Sequence, residues 1–272
     1  MCELLAIASR KPMTVSISLG QFAGHGSDTG GNSDGWGIVY YSEDDIRRLR
    51  DIDSAASSEW VRFAEKHPLC STLFLAHIRN AKVGKVSLSN THPFARELGG
   101  KMHTFAHNGY LQDLTDMNAL TPRRFQPIGE TDSESAFCAL LDRLCEVWTF
   151  DQNVPDLAER FGIIAAFAAD IRQRGIANFV YCDGDAIFVH SHRRRQRDGV
   201  IREPGLWLSH QTVSDDEDGV RGAGVTIASE RQQIVVAASV PLTDDGWSPI
   251  QSGSLVALRD GQVIDATTLA SD

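Results

Sequence analysis

The chain has 272 residues, 42% of them hydrophobic and 23% charged, which is enough apolar material for a sizeable core. Lys and Arg number 26 against 36 Asp and Glu, a formal charge of −10 that argues against nucleic acid or an anionic membrane as the main partner, since both select cationic patches. No apolar run approaches the roughly 18 residues of a membrane span, and the chain begins with an acidic Glu3 rather than the basic segment of a secretory signal, so a cytoplasmic protein is expected.

Apolar runs of strand length recur at residues 3–8, 37–41, 72–78, 104–106, 179–181, 187–190, 206–209, 225–228, 234–238 and 254–258. Most are short, β-branched or aromatic, and bounded by Gly, Asp, Asn or Pro. Between the first two, residues 20–37 hold many glycines among polar residues and read as a flexible loop able to close over a substrate. Thr131-Asp132-Ser133-Glu134 supplies a cap and early acids, so a helix is predicted to begin there and run to about residue 147. A second is predicted over about 156–174, with Gly175 as its stop. Asp183-Gly184 and Asp260-Gly261 each sit between apolar runs and predict hairpins. The basic run at 192–197 reads as a solvated loop, and the acidic stretch 211–224 as an exposed one. Two long helices beside many antiparallel-type strands predict a layered α+β protein.

The cysteines are Cys2, Cys70, Cys138, Cys145 and Cys182, an odd number with no C-x-x-C pair, so neither a disulfide framework nor a structural zinc site is expected. Four of them read as small core residues. Cys2 differs by its place. If Met1 is removed, Cys2 carries a free α-amine that titrates near pH ~7.7–8.0 and can take the thiol's proton. Asn108-Gly109, after a short apolar run, is by itself an ordinary turn, yet an Asn amide and a Gly N–H can also converge on one oxyanion. Arg79 at a strand end can clamp a carboxylate through its two-pronged guanidinium, and Asp132 can accept from an ammonium. His92 in Thr91-His92-Pro93 and His107 before Asn108 are further polar candidates. Taken together these groups describe an amino acid with a side-chain amide: Arg79 for the α-carboxylate, Asp132 for the α-ammonium, Cys2 as nucleophile, Asn108 and Gly109 for the oxyanion.

The ordered set Met1-Cys2-Glu3-Leu4-Leu5, Asp34-Gly35-Trp36-Gly37, Ala76-His77-Ile78-Arg79, Thr91-His92-Pro93-Phe94, His107-Asn108-Gly109 and Gly129-Glu130-Thr131-Asp132-Ser133-Glu134 resembles the class II glutamine amidotransferases, within the N-terminal-nucleophile hydrolases. The likeness is to the stand-alone bacterial YafJ type, and it extends toward the C-terminus through Pro241-Leu242-Thr243, Trp247 and Gly253. The resemblance implies a four-layer αββα sandwich, with two antiparallel sheets between helix layers, filling residues 1–272 as a single domain. It implies that Cys2 is nucleophile and base, Arg79 and Asp132 hold glutamine, Asn108 and Gly109 form the oxyanion hole, and His92 and His107 lie near the substrate. No metal or organic cofactor is implied. Relatives of the type include hydrolases of γ-glutamyl bonds, and transfer of ammonia would need a separate synthase subunit. His25-Gly26 stands where many members carry Arg-Gly. A non-catalytic subunit that binds glutamine or a γ-glutamyl metabolite is the alternative from another class.

Overall fold

The computed structural model describes residues 2–25, 34–55, 58–67, 69–80, 84–112, 123–149, 153–196, 198–214 and 220–268. In chain order the elements are β1 (Glu3–Ile17), α1 (Leu19–His25), β2 (Trp36–Ser42), β3 (Asp45–Asp51), α2 (Glu59–Lys66), β4 (Leu69–Ile78), β5 (Phe94–Leu98), β6 (Lys101–Leu111), α3 (Asp132–Leu144) and α4 (Leu157–Arg172). They continue with β7 (Gly175–Cys182), β8 (Ile187–His190), β9 (Arg194–Arg195), β10 (Ile201–Arg202), β11 (Trp207–Val213), β12 (Val220–Gly222), β13 (Val225–Ala228), β14 (Gln232–Ala238), β15 (Trp247–Pro249), β16 (Ser254–Arg259) and β17 (Gln262–Thr268).

Two antiparallel sheets stack face to face. One runs β15-β11-β14-β1-β4-β2-β3, with β13 and β12 attached to the far half of β1; the other runs β17-β16-β8-β7-β6-β5. Strand β1 is central. Its residues 5–9 pair with β14 on one edge while residues 3–8 pair with β4 on the other. The register to β4 shifts between Ala8 and Met13; beyond that point residues 13–15 still pair with β4, while on the other edge residues 14–17 pair with β13 in place of β14.

Period-two alternation then sorts side chains into three apolar layers. Leu4, Ala6, Ala8, Leu73, Leu75, Ala106, Val180 and Val189 fill the space between the sheets. Leu5, Ile7, Phe74, Ala76 and Ile78 point the other way, into a layer closed by Val61 and Ala64 of α2 and by Leu19 and Phe22 of α1. Phe105, Phe179 and Phe188 face outward from the second sheet, against Phe137 and Leu140 of α3 and Ile164 and Phe167 of α4. The order is therefore helix, sheet, sheet, helix, the sandwich that the resemblance implies. Both faces of each sheet are apolar, so the strands read as continuous apolar runs rather than a clean alternation.

Local chemistry explains the helix starts. The Thr131 hydroxyl accepts the Glu134 amide at 3.2 Å, and the Glu134 carboxylate reaches back to the Gly129 amide at 2.6 Å and to Arg96 Nη2 at 2.6 Å. Asp156 caps α4 by accepting the Ala158 amide at 2.8 Å. Asp260 and Gly261, both at positive φ, form the tight turn between β16 and β17.

Four expectations change. The stretch over residues 20–37 is not all loop, because α1 occupies its start, anchored by buried Leu19 and Phe22. Its middle, residues 26–33, lies outside the described residues, as does residue 1. The basic run is not a solvated loop throughout: Arg194 is 4% exposed and bonded to Glu3. The acidic stretch begins as strand β11, whose Val213 is buried, and ends as β12. Of the cysteines read as core residues, Cys138 and Cys182 are buried, whereas Cys70 is exposed and Cys145 half-buried. No helix among the described residues is long and apolar enough to cross a membrane.

Burial also fixes histidine charge. His77, His103 and His190 are fully buried, and burial pushes each ring down to about 3. His103 is held by Leu98 O at 3.0 Å and Tyr181 Oη at 2.5 Å. Their folded pKa lies below the unfolded value of ~6.5, so the stability they contribute is whole above pH ~6.5 and is lost as pH falls toward 3. Between pH 7 and pH 5 each such ring is expected to remove about 2 kcal/mol. Urea unfolding at the two pH values checks this; equal stability at pH 5 and pH 7 would contradict neutral burial of the three rings.

Candidate active site

The candidate residues come together where Cys2, at the head of β1, meets Asn108 of the other sheet. Cys2 has the parity of Leu4 on β1, Arg79 that of Leu75 beyond β4, and Asn108 that of Ala106 on β6, so all three belong to the inter-sheet side. The closest tie between the sheets there is a hydrogen bond from Asn108 Nδ2 to the Cys2 carbonyl, 2.6 Å long between residues 106 apart in sequence. A second, longer contact of 3.5 Å runs from the same nitrogen to Ser239 Oγ.

Cys2 is half-buried. Its sulfur receives the Asn80 amide at 3.3 Å. Burial pushes the thiol up, opposed by that Asn80 N–H and by the positive charge of nearby Arg79. The thiol therefore rests protonated, and nucleophilic attack needs a base at the moment of reaction.

Arg79 is placed by Asp34-Gly35-Trp36-Gly37. The Arg79 amide donates to Gly35 O and the Asp34 amide to Arg79 O, each at 2.8 Å, while Arg79 Nη1 approaches Asp34 O at 3.5 Å. Gly35 lies at positive φ, and a Cβ on Gly37 would come within 2.2 Å of His92 O, so both glycines are demanded by backbone packed against backbone. Arg79 is 3% exposed, and burial lowers its pKa while Cys2 and Asp34 raise it.

Asn108 sits on β6 opposite Asn178 of β7, whose Nδ2 donates to Asn108 O at 2.9 Å and to Arg193 O at 2.8 Å. Gly109 follows at the surface. A Cβ there would lie 1.7 Å from Ile176 O and 2.5 Å from His107 Nε2, so only glycine lets β6 and β7 pair at this point. Asp132 opens α3, where Oδ2 accepts the Leu111 amide at 2.7 Å and Oδ1 the Ser133 amide at 2.8 Å. Ser133 Oγ also lies 3.3 Å from Oδ1, so Oδ2 is the oxygen that keeps a lone pair for a further donor.

The two histidines lie elsewhere. The His107 ring turns toward the helix layer, between Ser133 Oγ at 2.9 Å and Ile176 O at 3.0 Å. Burial lowers its pKa, and in the neutral ring the proton sits on Nε2, facing the carbonyl. Both its nitrogens are thus taken by the protein. His92 is 5% exposed, with its ring tilted against those of His77 and Phe94 at centroid distances of 4.3 and 4.4 Å. Neither ring nitrogen of His92 or His77 has a hydrogen-bond partner among the described residues. Burial, then the His77 ring, pushes His92 well below the ordinary range. His92 is therefore a buried, neutral ring packed against His77 and Phe94.

Four residues outside the sequence-based set complete the site. Asn80 holds the Cys2 sulfur. Glu3, 2% exposed, pairs with buried Arg194 at 2.9 Å, and Arg194 Nη1 also donates to Ser239 O. The Ser239 hydroxyl accepts the Leu4 amide at 3.0 Å. An acid beside Cys2 and an Arg in the basic run were legible as opposite charges, but their pairing across 191 residues was not. Among the described residues no three His, Cys, Asp or Glu side chains converge on a point that could hold a metal ion.

Comparison with known proteins adds the lineage. The sequence profile of the family "Glutamine amidotransferases class-II" matches residues 1–272. The protein YafJ of Escherichia coli strain K12, named as a glutamine amidotransferase, is 34% identical over 264 residues, covering 93% of this chain and 95% of its own. A solved structure from Pseudomonas aeruginosa PA01, named a predicted glutamine amidotransferase, is 31% identical with a TM-score of 0.68, over 97% of this chain and 99% of that one. The glutamine phosphoribosylpyrophosphate amidotransferase of Bacillus subtilis shares the fold at 13% identity and a TM-score of 0.61, over 99% of this chain and 50% of its own.

Replacing Gly109 with alanine is expected to force β6 from β7 and to cost at least the ~1–3 kcal/mol of an overpacked site. Thermal unfolding of Gly109→Ala measures it, and an unchanged midpoint would remove the packing reason for glycine there.

Proposed function

The chain belongs to the class II glutamine amidotransferases, and we propose that residues 1–272 act as one stand-alone domain that hydrolyses the side-chain amide of glutamine, or of a γ-glutamyl amide, through a thioester on Cys2. The observation that carries this proposal is the meeting of Cys2 and Asn108 from opposite sheets, joined at 2.6 Å and flanked by Arg79.

The chemistry starts with removal of Met1, which gives Cys2 its own α-amine. That amine takes the thiol proton as sulfur attacks the amide carbon. The C–O π electrons move onto oxygen, and Asn108 Nδ2 with the Gly109 N–H receive the oxyanion. The resulting ammonium returns the proton to the departing nitrogen, the C–N bond breaks, and ammonia or an amine leaves a γ-glutamyl thioester. Water, deprotonated by the same amine, attacks the thioester and releases glutamate, restoring the thiol.

Arg79 pairs with the substrate α-carboxylate, and the open lone pair on Asp132 Oδ2 accepts its α-ammonium. His107 acts through Ser133, fixing the first turn of α3 that carries Asp132. His92 packs with His77, which lies on β4 two residues before Arg79, as a neutral part of the wall near the site. A synthase subunit that receives ammonia is the partner such an enzyme would serve, and a larger γ-glutamyl amide is the substrate if it works alone. Its five thiols, all unpaired, fit the reducing cytoplasm.

Glutamate release from L-glutamine, by protein whose Met1 removal is verified by intact mass, tests the reaction. Release is expected to vanish in Cys2→Ala; release that persists would exclude Cys2 as nucleophile. Asn108→Ala is expected to lower kcat by about 10²–10³-fold. Arg79→Ala is expected to raise KM by roughly 10–100-fold, the worth of a charge-assisted contact, with a smaller change in kcat. An unaltered KM for a substrate with a free α-carboxylate would remove Arg79 from the binding role.

A further inference from the structure

The first residues of β1 leave the sheet in an unusual way. In an antiparallel ladder, Leu4 and Ser239 would exchange two backbone hydrogen bonds. Only one forms: the Ser239 amide donates to Leu4 O at 3.0 Å. The return bond from the Leu4 amide goes to the Ser239 hydroxyl, also at 3.0 Å, while the Ser239 carbonyl is taken by Arg194. Arg194 holds Glu3 with its other nitrogen at 2.9 Å. The ladder therefore ends at Ser239 with a side chain in place of a carbonyl, and residues 2 and 3 turn off β14. The same hydroxyl lies 3.5 Å from Asn108 Nδ2.

We propose that Ser239 is a positioning residue for the thiol reaction, setting nucleophile and oxyanion donor relative to each other through one oxygen. It rests on the role proposed above for Cys2 and Asn108. Ser239 is 1% exposed, so its hydroxyl is a fixed point rather than a mobile one. Through Leu4 it sets where Cys2 leaves the strand. Through Asn108 it gives the second amide hydrogen a weak resting acceptor. The 2.6 Å bond to the Cys2 carbonyl orients the amide, and the long contact is the one exchanged cheaply when an oxyanion forms. A donor already aimed, and weakly held, loses little on switching partners.

Ser239→Ala and Ser239→Thr separate positioning from bulk structure. On turnover of L-glutamine, Ser239→Ala is expected to lower kcat about tenfold, the worth of one neutral hydrogen bond, at nearly constant KM. In the Asn108→Ala background the same change is expected to lower kcat by clearly less than in the wild type, because one of its two targets is gone and only the path through Leu4 remains. Ser239→Thr keeps the oxygen and is expected to restore most of kcat. A readout independent of substrate accompanies these: alkylation of Cys2 by iodoacetamide, followed by peptide mass spectrometry, with buried Cys138 and Cys182 as internal references. Ser239→Ala is expected to alkylate Cys2 several-fold faster while turning over more slowly, since the thiol is freed but misplaced. Equal Cys2 alkylation in wild type, Ser239→Ala and Ser239→Thr would overturn the proposal. So would a parallel rise at Cys138 and Cys182, which would mean general loosening, or full additivity with Asn108→Ala. A wild type inactive on every γ-glutamyl amide would defeat the proposed function, while the alkylation rates would still decide the position of Ser239.

Discussion

Strand β1 is hydrogen-bonded on both edges and buried on both faces, and the position of the site depends on that. Its pairing with β14 at residues 5–9 and with β4 at residues 3–8 fixes it to within a hydrogen bond on each side. A slip of one residue would exchange Leu4 and Ala6 with Leu5 and Ile7 between two apolar layers of different shape. Cys2 is one residue before the strand, so its position is inherited from a register the whole sheet enforces. A residue so close to a chain end would otherwise be among the most mobile of the protein.

The charges at that end follow the same constraint. Glu3 must point somewhere as β1 enters the sheet, and it is nearly dehydrated. An isolated carboxylate there would be strongly disfavoured, and Arg194 neutralises it with two directed bonds, one to Glu3 and one to the Ser239 carbonyl. Such a pair contributes little net stability against an apolar equivalent, because both ions are desolvated. Its effect is geometric, tying β9, β14 and the head of β1 into one unit beside the cleft.

The second sheet contributes the complementary half. Residues 107, 108 and 109 are consecutive on β6 and do three different jobs by alternation and proximity. His107 faces the helix layer and is anchored to α3, Asn108 faces the other sheet and reaches Cys2, and Gly109 makes room for Ile176. Asp132 then closes the arrangement by capping the end of β6 through Leu111. Helix α3 is thus coupled to the site by its first turn, while its buried face, Phe137 and Leu140, holds it to the sheet.

Much of this was legible without coordinates. The strand cores, both long helices with their caps, the Asp-Gly hairpins and the presence of Cys2, Arg79, Asn108, Gly109 and Asp132 come from short-range chemistry: apolar runs, capping side chains and turn residues act within a few positions of themselves. The short helix α2 was not legible, because its buried face is only Val61 and Ala64 and gives no long period to read. Nor were the partners of Arg194, the ladder end at Ser239, or the directions of His92 and His107. Those depend on which strands become neighbours and on which face each side chain then meets. The amino-acid sequence by itself determined which chemical groups are available and on which elements they ride. Only the tertiary structure decided which of them meet, because β1 pairs with β14 across more than two hundred residues and the two sheets touch through side chains that no local pattern pairs.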